Sequence, residues 1–186
     1  LLELANYIKD NRNQERIGNL DWKEILNKDT SAKLPSSSFI AVFFKFLSFI
    51  VFKTFFRVKV KGKEKIEKDK PTIFVANHQS FLDGFLFNYS VPLKVMKKTY
   101  FLATVIHFKS SLMKFMADSS NVVLVDMNKD IAEVMQILAK LLKENKNIAI
   151  YPEGTRTRDG KMDKFKKAFA ILAKELNVDV QPYVIS

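Results

Sequence analysis

Short, wholly apolar segments alternate with amphipathic helical patterns along most of this chain. The apolar segments lie at residues 72–76, around Phe101, and at 122–125, 148–151 and 180–184. Apolar residues that recur on one face mark helices at 130–144 and 165–176. A strand without polar alternation is buried on both faces, as in a parallel sheet that helices cover. The sequence therefore predicts an α/β fold with a mainly parallel sheet flanked by helices.

Two regions are predicted, with a boundary between residues 56 and 57. Residues 57–61 alternate like an edge strand that Gly62 ends, and the compact domain is predicted to cover residues 57–186. Residues 1–56 are predicted to be an N-terminal helical, membrane-associating segment, with short helices at 2–10 and 21–27 and with Asp21 as an N-cap. The chain starts without an initiator methionine or a signal-peptide pattern, so we expect it to be a segment of a longer protein.

Residues 39–56 are rich in phenylalanine, and this suits a lipid surface. The net charge of +11 is compatible with nucleic acid or an anionic membrane. The segment is more apolar than base stacking needs, so a nucleic-acid partner is not expected. Lysines inside the segment favour a helix in the membrane interface over one that spans the bilayer. The residues expected at this anionic membrane surface are Phe44, Lys45, Phe49, Phe52 and Lys53. The alternative is a helix packed in the protein core.

A first polar motif follows the apolar segment at 72–76. It reads Asn77-His78-Gln79-Ser80-Phe81-Leu82-Asp83. Histidine is the side chain best suited to accept a proton near neutral pH. If a helix begins near Ser80, Asp83 lies one turn along it and its carboxylate can reach back to the imidazole. We therefore predict that His78 is a general base and that Asp83 orients it.

A second motif follows the apolar segment at 148–151. It reads Tyr151-Pro152-Glu153-Gly154-Thr155-Arg156-Thr157. Gly154 lets backbone N–H groups approach a phosphate, Thr155 adds a hydroxyl and Arg156 adds a planar guanidinium. Glu153 is expected to bind the hydroxyl of the substrate or to hold Arg156. Because ligands collect at the carboxyl ends of parallel strands, we predict that both motifs face one cleft.

No catalytic role is predicted for the other charged residues or for the second histidine. A cluster of cations follows the second motif and is interpreted as a solvated face, with attraction of anionic lipid or of an acidic acyl carrier as the alternative. Its members are Arg158, Lys161, Lys164, Lys166 and Lys167. His107 is interpreted as structural or interfacial. No metal site is predicted, because the chain has no cysteine and its two histidines lack ligand spacing.

The two motifs resemble the Asn-His-x-x-x-x-Asp and Phe-Pro-Glu-Gly-Thr-Arg-Ser blocks of the glycerolipid O-acyltransferase superfamily, the 1-acylglycerol-3-phosphate and lysophospholipid acyltransferases. Residues 180–184 are similar to its final Val-x-Pro strand, so the resemblance runs from about residue 58 to residue 186. It implies catalysis by His78 and Asp83. The substrate-binding residues that it implies are Asn77, Glu153, Gly154, Thr155 and Arg156. Two positions depart from the family pattern: Met127 stands where an arginine tied to glycerol-phosphate recognition is usual, and Ala168 where many members carry glycine.

This resemblance implies transfer of a fatty acyl group from acyl-CoA or acyl carrier protein to the free hydroxyl of a lysophospholipid such as 1-acylglycerol-3-phosphate, with no other cofactor. Because of Met127, a headgroup-bearing acceptor such as acylglycerophosphoethanolamine remains an alternative, as in family members fused to an acyl-activating domain. A non-catalytic membrane-binding module is a further alternative, which the intact His78 and Asp83 disfavour. The expected location is the cytoplasmic face of a membrane, peripheral or monotopic.

Overall fold

A computed structural model describes residues 20–32, 34–36, 38–126, 131–157 and 163–186. The helices of this part of the chain are α1 (Trp22–Asn27), α2 (Phe39–Thr54), α3 (Asp83–Ser90), α4 (Leu93–Lys98), α5 (Ser111–Asp118), α6 (Ile131–Lys143) and α7 (Ala168–Leu176). The strands are β1 (Thr72–Ala76), β2 (Thr99–Thr104), β3 (Val122–Val125), β4 (Asn147–Ile150) and β5 (Asp179–Tyr183), and short 3₁₀ turns lie at Lys63–Lys65 and Val105–His107. The predicted helix at 2–10, Met127, Arg158, Lys161 and the side chain of His107 lie outside what the structure describes.

The strands form a five-stranded sheet in the order β3-β2-β4-β1-β5. Strand β1 lies between β4 and β5 and pairs in parallel with both. Strand β2 pairs in parallel with β3 and with β4. The five strands therefore end at the same edge, and β1 and β4 end there side by side. This confirms the predicted α/β fold with a parallel sheet flanked by helices.

Helices cover both faces of the sheet. All five residues of β1 are buried. Ile73 packs in one cluster with α6 and α7, whereas Phe74 packs in another with α3 and α4. Because each face has its own apolar layer, the strand carries no polar alternation, and this is why it was recognisable as a continuous apolar run.

The first two helices also pack against this sheet domain. Asp21 caps α1 as predicted, since its carboxylate accepts a hydrogen bond from the N–H of Glu24 at 3.1 Å. Trp22 and Leu26 of α1 are buried in the cluster that contains α6. Ala41 of α2 is buried on the opposite face, in the cluster that contains α3. The described part of the N-terminal segment is thus continuous with the core of the domain.

Two of the five residues predicted to meet a membrane instead have partners inside the protein. Phe52 is only 4% exposed and packs against the ring of Tyr89. The ammonium of Lys45 donates hydrogen bonds to the carbonyl oxygens of Asn88 at 2.5 Å and Val91 at 2.7 Å, at the carboxyl end of α3. The prediction for Lys45 and Phe52 is therefore corrected, because tertiary contacts satisfy both side chains.

The other three residues predicted to meet a membrane are only partly covered by the protein. Phe49 is 44% exposed, and the ammonium of Lys53 lies 5.1 Å from the centre of its ring. Phe44 is half-buried and touches Phe85 of α3 with its edge, at 6.4 Å between ring centres. No helix in the described ranges is long and apolar enough to span a bilayer.

Residues 57–61 form no strand, contrary to the prediction. Arg57 has a φ of 50°, and the N–H of Val58 donates to the carbonyl of Phe52 at 2.9 Å, so the segment closes the end of α2. Val58 is half-buried and Lys59 is exposed. This alternation imitates an edge strand, although β5 is the strand beside β1 at that edge of the sheet.

Candidate active site

The loop after β1 and the first residue of α3 bring His78 and Asp83 together. Asp83 is 1% exposed, and its Oδ2 accepts a hydrogen bond from Nδ1 of His78 at 2.8 Å. The same oxygen accepts the backbone N–H groups of Gln79 at 2.7 Å and Ser80 at 3.0 Å. Asp83 also stands in the first turn of a helix, where the macrodipole favours a negative charge. The carboxylate is thus held as an acceptor, and Nε2 is left as the basic nitrogen of a neutral His78.

The ring of Tyr151 stacks on this imidazole. The ring centres of His78 and Tyr151 are 4.2 Å apart and the planes differ by 15°. Tyr151 follows β4 directly, so the parallel pairing of β1 with β4 places it beside the loop that carries His78. Its hydroxyl lies 3.5 Å from that of Tyr183. Burial raises the pKa of both phenols above the ordinary range.

Glu153 connects the two motifs through backbone hydrogen bonds. It is 3% exposed; its Oε1 accepts the N–H of His78 at 2.8 Å and its Oε2 accepts the N–H of Asp163 at 3.0 Å. The N–H of Thr157 in turn donates to the carbonyl of His78 at 2.9 Å. The carboxylate of Glu153 therefore fixes the backbone of the base, and its role in binding the substrate hydroxyl or Arg156 stays a prediction.

Asn77 also has a structural role, and the substrate-binding role that the resemblance implied stays a prediction. Its Nδ2 donates to the carbonyl of Ile185 at 2.8 Å, and its Oδ1 accepts the N–H of Ile185 at 2.9 Å. The side chain is 8% exposed. Asn77 thus joins the end of β1 to the residues that follow β5.

Residues 154–156 form an exposed turn beside His78. Gly154 has a φ of 74°, which glycine adopts without strain. Its N–H donates to the carbonyl of Tyr151 at 3.0 Å, so this amide closes the turn. The guanidinium carbon of Arg156 lies 3.4 Å from the centre of the Phe81 ring, a cation–π contact with the loop of the first motif. Arg156 and Thr155 are exposed and can meet an anion beside the base.

Sequence reasoning assigned no role to Tyr151, and it interpreted Lys166 as part of a solvated cationic face, with attraction of anionic lipid or an acidic acyl carrier as the alternative. Tyr151 is the last residue before the turn of the second motif. Its place directly after β4, as His78 follows β1, is the sequence feature that could have indicated a contact between the two side chains. The side chain of Lys166 lies across Gly154. No local pattern predicts this contact, because Lys166 lies outside the second motif in the chain.

A family model described as Acyltransferase matches residues 57–186. The chain belongs to this family, and the resemblance of its motifs is confirmed.

Several relatives share this domain. A 1-acyl-sn-glycerol-3-phosphate acyltransferase of Chlamydomonas reinhardtii is 35% identical over 134 residues, which cover 70% of this chain and 39% of the relative. The chloroplastic 1-acyl-sn-glycerol-3-phosphate acyltransferase of Arabidopsis thaliana is 30% identical over 139 residues, or 70% of this chain and 36% of the relative. The chain therefore spans less than half the length of these two proteins.

A solved structure has the same fold. The crystal structure of the 1-acyl-sn-glycerophosphate acyltransferase PlsC from Thermotoga maritima matches with a TM-score of 0.55 and 31% sequence identity. The match covers 77% of this chain and 54% of the other. At this identity the likeness extends beyond general architecture to the family.

Proposed function

We propose that this domain transfers a fatty acyl group from a thioester to the free hydroxyl of a lysophospholipid of the 1-acylglycerol-3-phosphate type. The observation that carries the proposal is the 2.8 Å hydrogen bond between His78 Nδ1 and the buried carboxylate of Asp83. The exposed guanidinium of Arg156 beside the same loop adds a site for an anion. The names of the relatives support this class of acceptor.

The chemistry follows from the position of the imidazole. Nε2 of His78 accepts the proton of the acceptor hydroxyl while that oxygen attacks the thioester carbonyl carbon. Asp83 stabilises the imidazolium that forms, as a carboxylate does in the His-Asp part of a catalytic triad. The tetrahedral intermediate then collapses, the carbon–sulfur bond breaks, and the thiolate takes the proton back from His78. No acyl-enzyme is formed in this sequence.

The acyl donor is acyl-CoA or acyl carrier protein, used as a co-substrate and without a further cofactor. Both donors are acidic, and the exposed Lys164 on the chain beside the turn would attract either. The location that fits a membrane-resident acceptor is the cytoplasmic face of a bilayer, with peripheral attachment. The exposed apolar side of α2 supports this location.

Mass analysis of lipid products tests the proposal. The purified protein is offered detergent-solubilised lysophosphatidate or lysophosphatidylethanolamine, each with acyl-CoA and with acylated acyl carrier protein. We expect a diacyl product from lysophosphatidate. Product from lysophosphatidylethanolamine alone would move the acceptor to the headgroup-bearing class, and absence of product from all four pairs would contradict the proposal.

The variants His78→Ala and Asp83→Asn test whether these two residues carry the acyl transfer. We expect His78→Ala to lose nearly all transfer, and Asp83→Asn to lose several orders of magnitude, up to roughly ten-thousand-fold, if orientation matters as in the triads. Asp69→Asn is the matched control, because Asp69 is exposed and pairs with Lys94 on the surface. Full activity in a folded His78→Ala protein would refute the mechanism.

A further inference from the structure

We propose that Lys166 determines acceptor specificity by pairing its ammonium with the terminal phosphate of a phosphate-monoester lysolipid. This inference rests on the proposed function. Lys166 would be a second cation, beside Arg156, at the proposed anion site. The protein should therefore prefer lysophosphatidate to acceptors whose phosphate is a diester.

The position of the Lys166 side chain is the first observation. A Cβ atom added to Gly154 would lie 2.6 Å from Nζ, 2.9 Å from Cε and 3.3 Å from Cδ of Lys166. The end of the lysine side chain therefore lies directly over the α-carbon of Gly154, in space that any other residue would fill. The absence of a side chain at Gly154 thus leaves room for the lysine beside the turn.

The backbone of Lys166 is tied to the same turn. Its N–H donates to the carbonyl of Pro152 at 2.9 Å, two residues before Gly154. Lys166 is exposed, and no carboxylate in the described ranges lies within ion-pair distance of it. The nearest acidic residue of the motif, Glu153, is buried and accepts two backbone N–H groups. The side chain of Lys166 therefore lies at the turn with its charge available to a ligand.

Both cations belong to the segment around the same turn. Arg156 stacks on Phe81 in the loop of His78, whereas Lys166 covers Gly154. A phosphate monoester carries about −1.5 to −2 charges at neutral pH, and a phosphodiester carries one. Two cations match the monoester, whereas one cation is enough for the diester. Lys166 thus favours the terminal phosphate of lysophosphatidate over the substituted phosphate of lysophosphatidylethanolamine.

Binding without an acyl donor separates this inference from catalysis. Isothermal titration with short-chain lysophosphatidate and lysophosphatidylethanolamine, both below their micelle concentrations, is compared for the wild type and Lys166→Met. Methionine keeps an unbranched side chain over Gly154 and removes the ammonium, with its charge and its hydrogen-bond donors. We expect Lys166→Met to weaken lysophosphatidate binding about tenfold and to change lysophosphatidylethanolamine binding by no more than about twofold.

Lys167→Met is the matched control, because Lys167 is an exposed lysine one residue further along. It should leave the preference between the two lipids unchanged, and Lys166→Arg should restore part of it. In turnover assays the KM for lysophosphatidate should rise in Lys166→Met while kcat changes little. The inference would be overturned if Lys166→Met bound both lipids equally more weakly, or bound both as the wild type does. It would also be overturned if Lys167→Met lost as much affinity for lysophosphatidate, or if the wild type did not bind lysophosphatidate. A wild type that binds lysophosphatidate through Lys166 but acylates neither lipid would refute the proposed function alone.

Discussion

At the scale of single residues, the base is held on three sides. Asp83 accepts the hydrogen of Nδ1, Glu153 accepts the backbone N–H, and Tyr151 stacks on the ring. An aromatic face attracts a cation, and this attraction grows where water is excluded. The stack therefore stabilises the imidazolium more than the neutral imidazole, and it contributes when the proton has been transferred to His78.

Tyr151→Leu tests this contribution. We expect kcat to fall roughly tenfold, since a desolvated cation–π contact is worth up to about 2 kcal/mol, while KM for the lysolipid stays near the wild-type value. Tyr151→Phe keeps the stacked ring and should retain most of the activity. Steady-state kinetics on folded variants measure the difference. Equal activity in the leucine and phenylalanine variants would show that the stack does not assist proton transfer.

The buried phenols predict how stability depends on alkaline pH. Burial raises the pKa of Tyr151 and Tyr183 in the folded state, whereas an unfolded tyrosine titrates near pH 10, at about its reference value. Above that pH the unfolded chain loses protons that the folded protein keeps. The stability from these two groups is therefore complete below about pH 10 and is lost as the pH rises further.

A double variant, Tyr151→Phe with Tyr183→Phe, measures this effect. Its urea midpoint should fall less steeply than that of the wild type as the pH rises above about 10. Other groups that titrate in this range are shared by both proteins and cancel in the difference. Parallel midpoints in the two proteins would mean that the phenols ionise without cost to the fold.

At the scale of elements, α3 connects the catalytic carboxylate to the phenylalanine-rich helix. Asp83 is the first residue of α3, and the carboxyl end of the same helix receives the ammonium of Lys45 from α2. A cation at a helix carboxyl end satisfies carbonyls that have no partner within the helix. Burial, with a smaller effect of Lys63, lowers the pKa of Lys45 from its usual value. Lys45 therefore couples α2 to the helix that holds Asp83.

Lys45→Met should lower the free energy of unfolding by about 1–3 kcal/mol, since it leaves carbonyl groups at a packed helix end without their charged donor. Lys53→Met is the matched control, because Lys53 is an exposed lysine of the same helix, and its change should stay within about 0.5 kcal/mol. Urea unfolding measures both. If Lys45→Met instead unfolds like the wild type and loses only vesicle binding, Lys45 acts on lipid as the sequence had suggested.

The contrast between elements shows what the sequence could predict. Strands such as β1 were recognisable because a strand buried on both faces is apolar throughout. The offset between His78 and Asp83 was informative because both partners are close together in the chain. The structural contacts of Asn77 and Glu153 were not predicted, because their partners, Ile185 and Asp163, lie outside the two motifs. Tertiary contacts of this kind leave no local pattern.

At the scale of the whole molecule, one apolar surface extends from α2 toward the site. Phe39, Phe43, Phe46 and Ile50 follow helical spacing along α2, and all are exposed, from 41% at Ile50 to 85% at Phe39. Phe44 touches Phe85 of α3, and Phe81 of the His78 loop is 65% exposed. Exposed apolar surface of this extent on a chain of net charge +11 suits an anionic bilayer. Such docking would place the cleft beside lipid headgroups.

Replacement of Phe39, Phe43 and Phe46 with serine tests this surface. The variant should stay folded, because these side chains are exposed, and should lose flotation with anionic vesicles, because burial of each phenylalanine contributes roughly 1.5–3 kcal/mol. Its activity on vesicle-borne lysolipid should fall far more than its activity on monomeric lysolipid. Phe52→Ser is the contrast, because Phe52 is 4% exposed and its loss should destabilise the fold, as circular dichroism would show. A triple variant that remains folded and still floats would place the membrane contact elsewhere, whereas one that unfolds would identify α2 as a core helix on both sides.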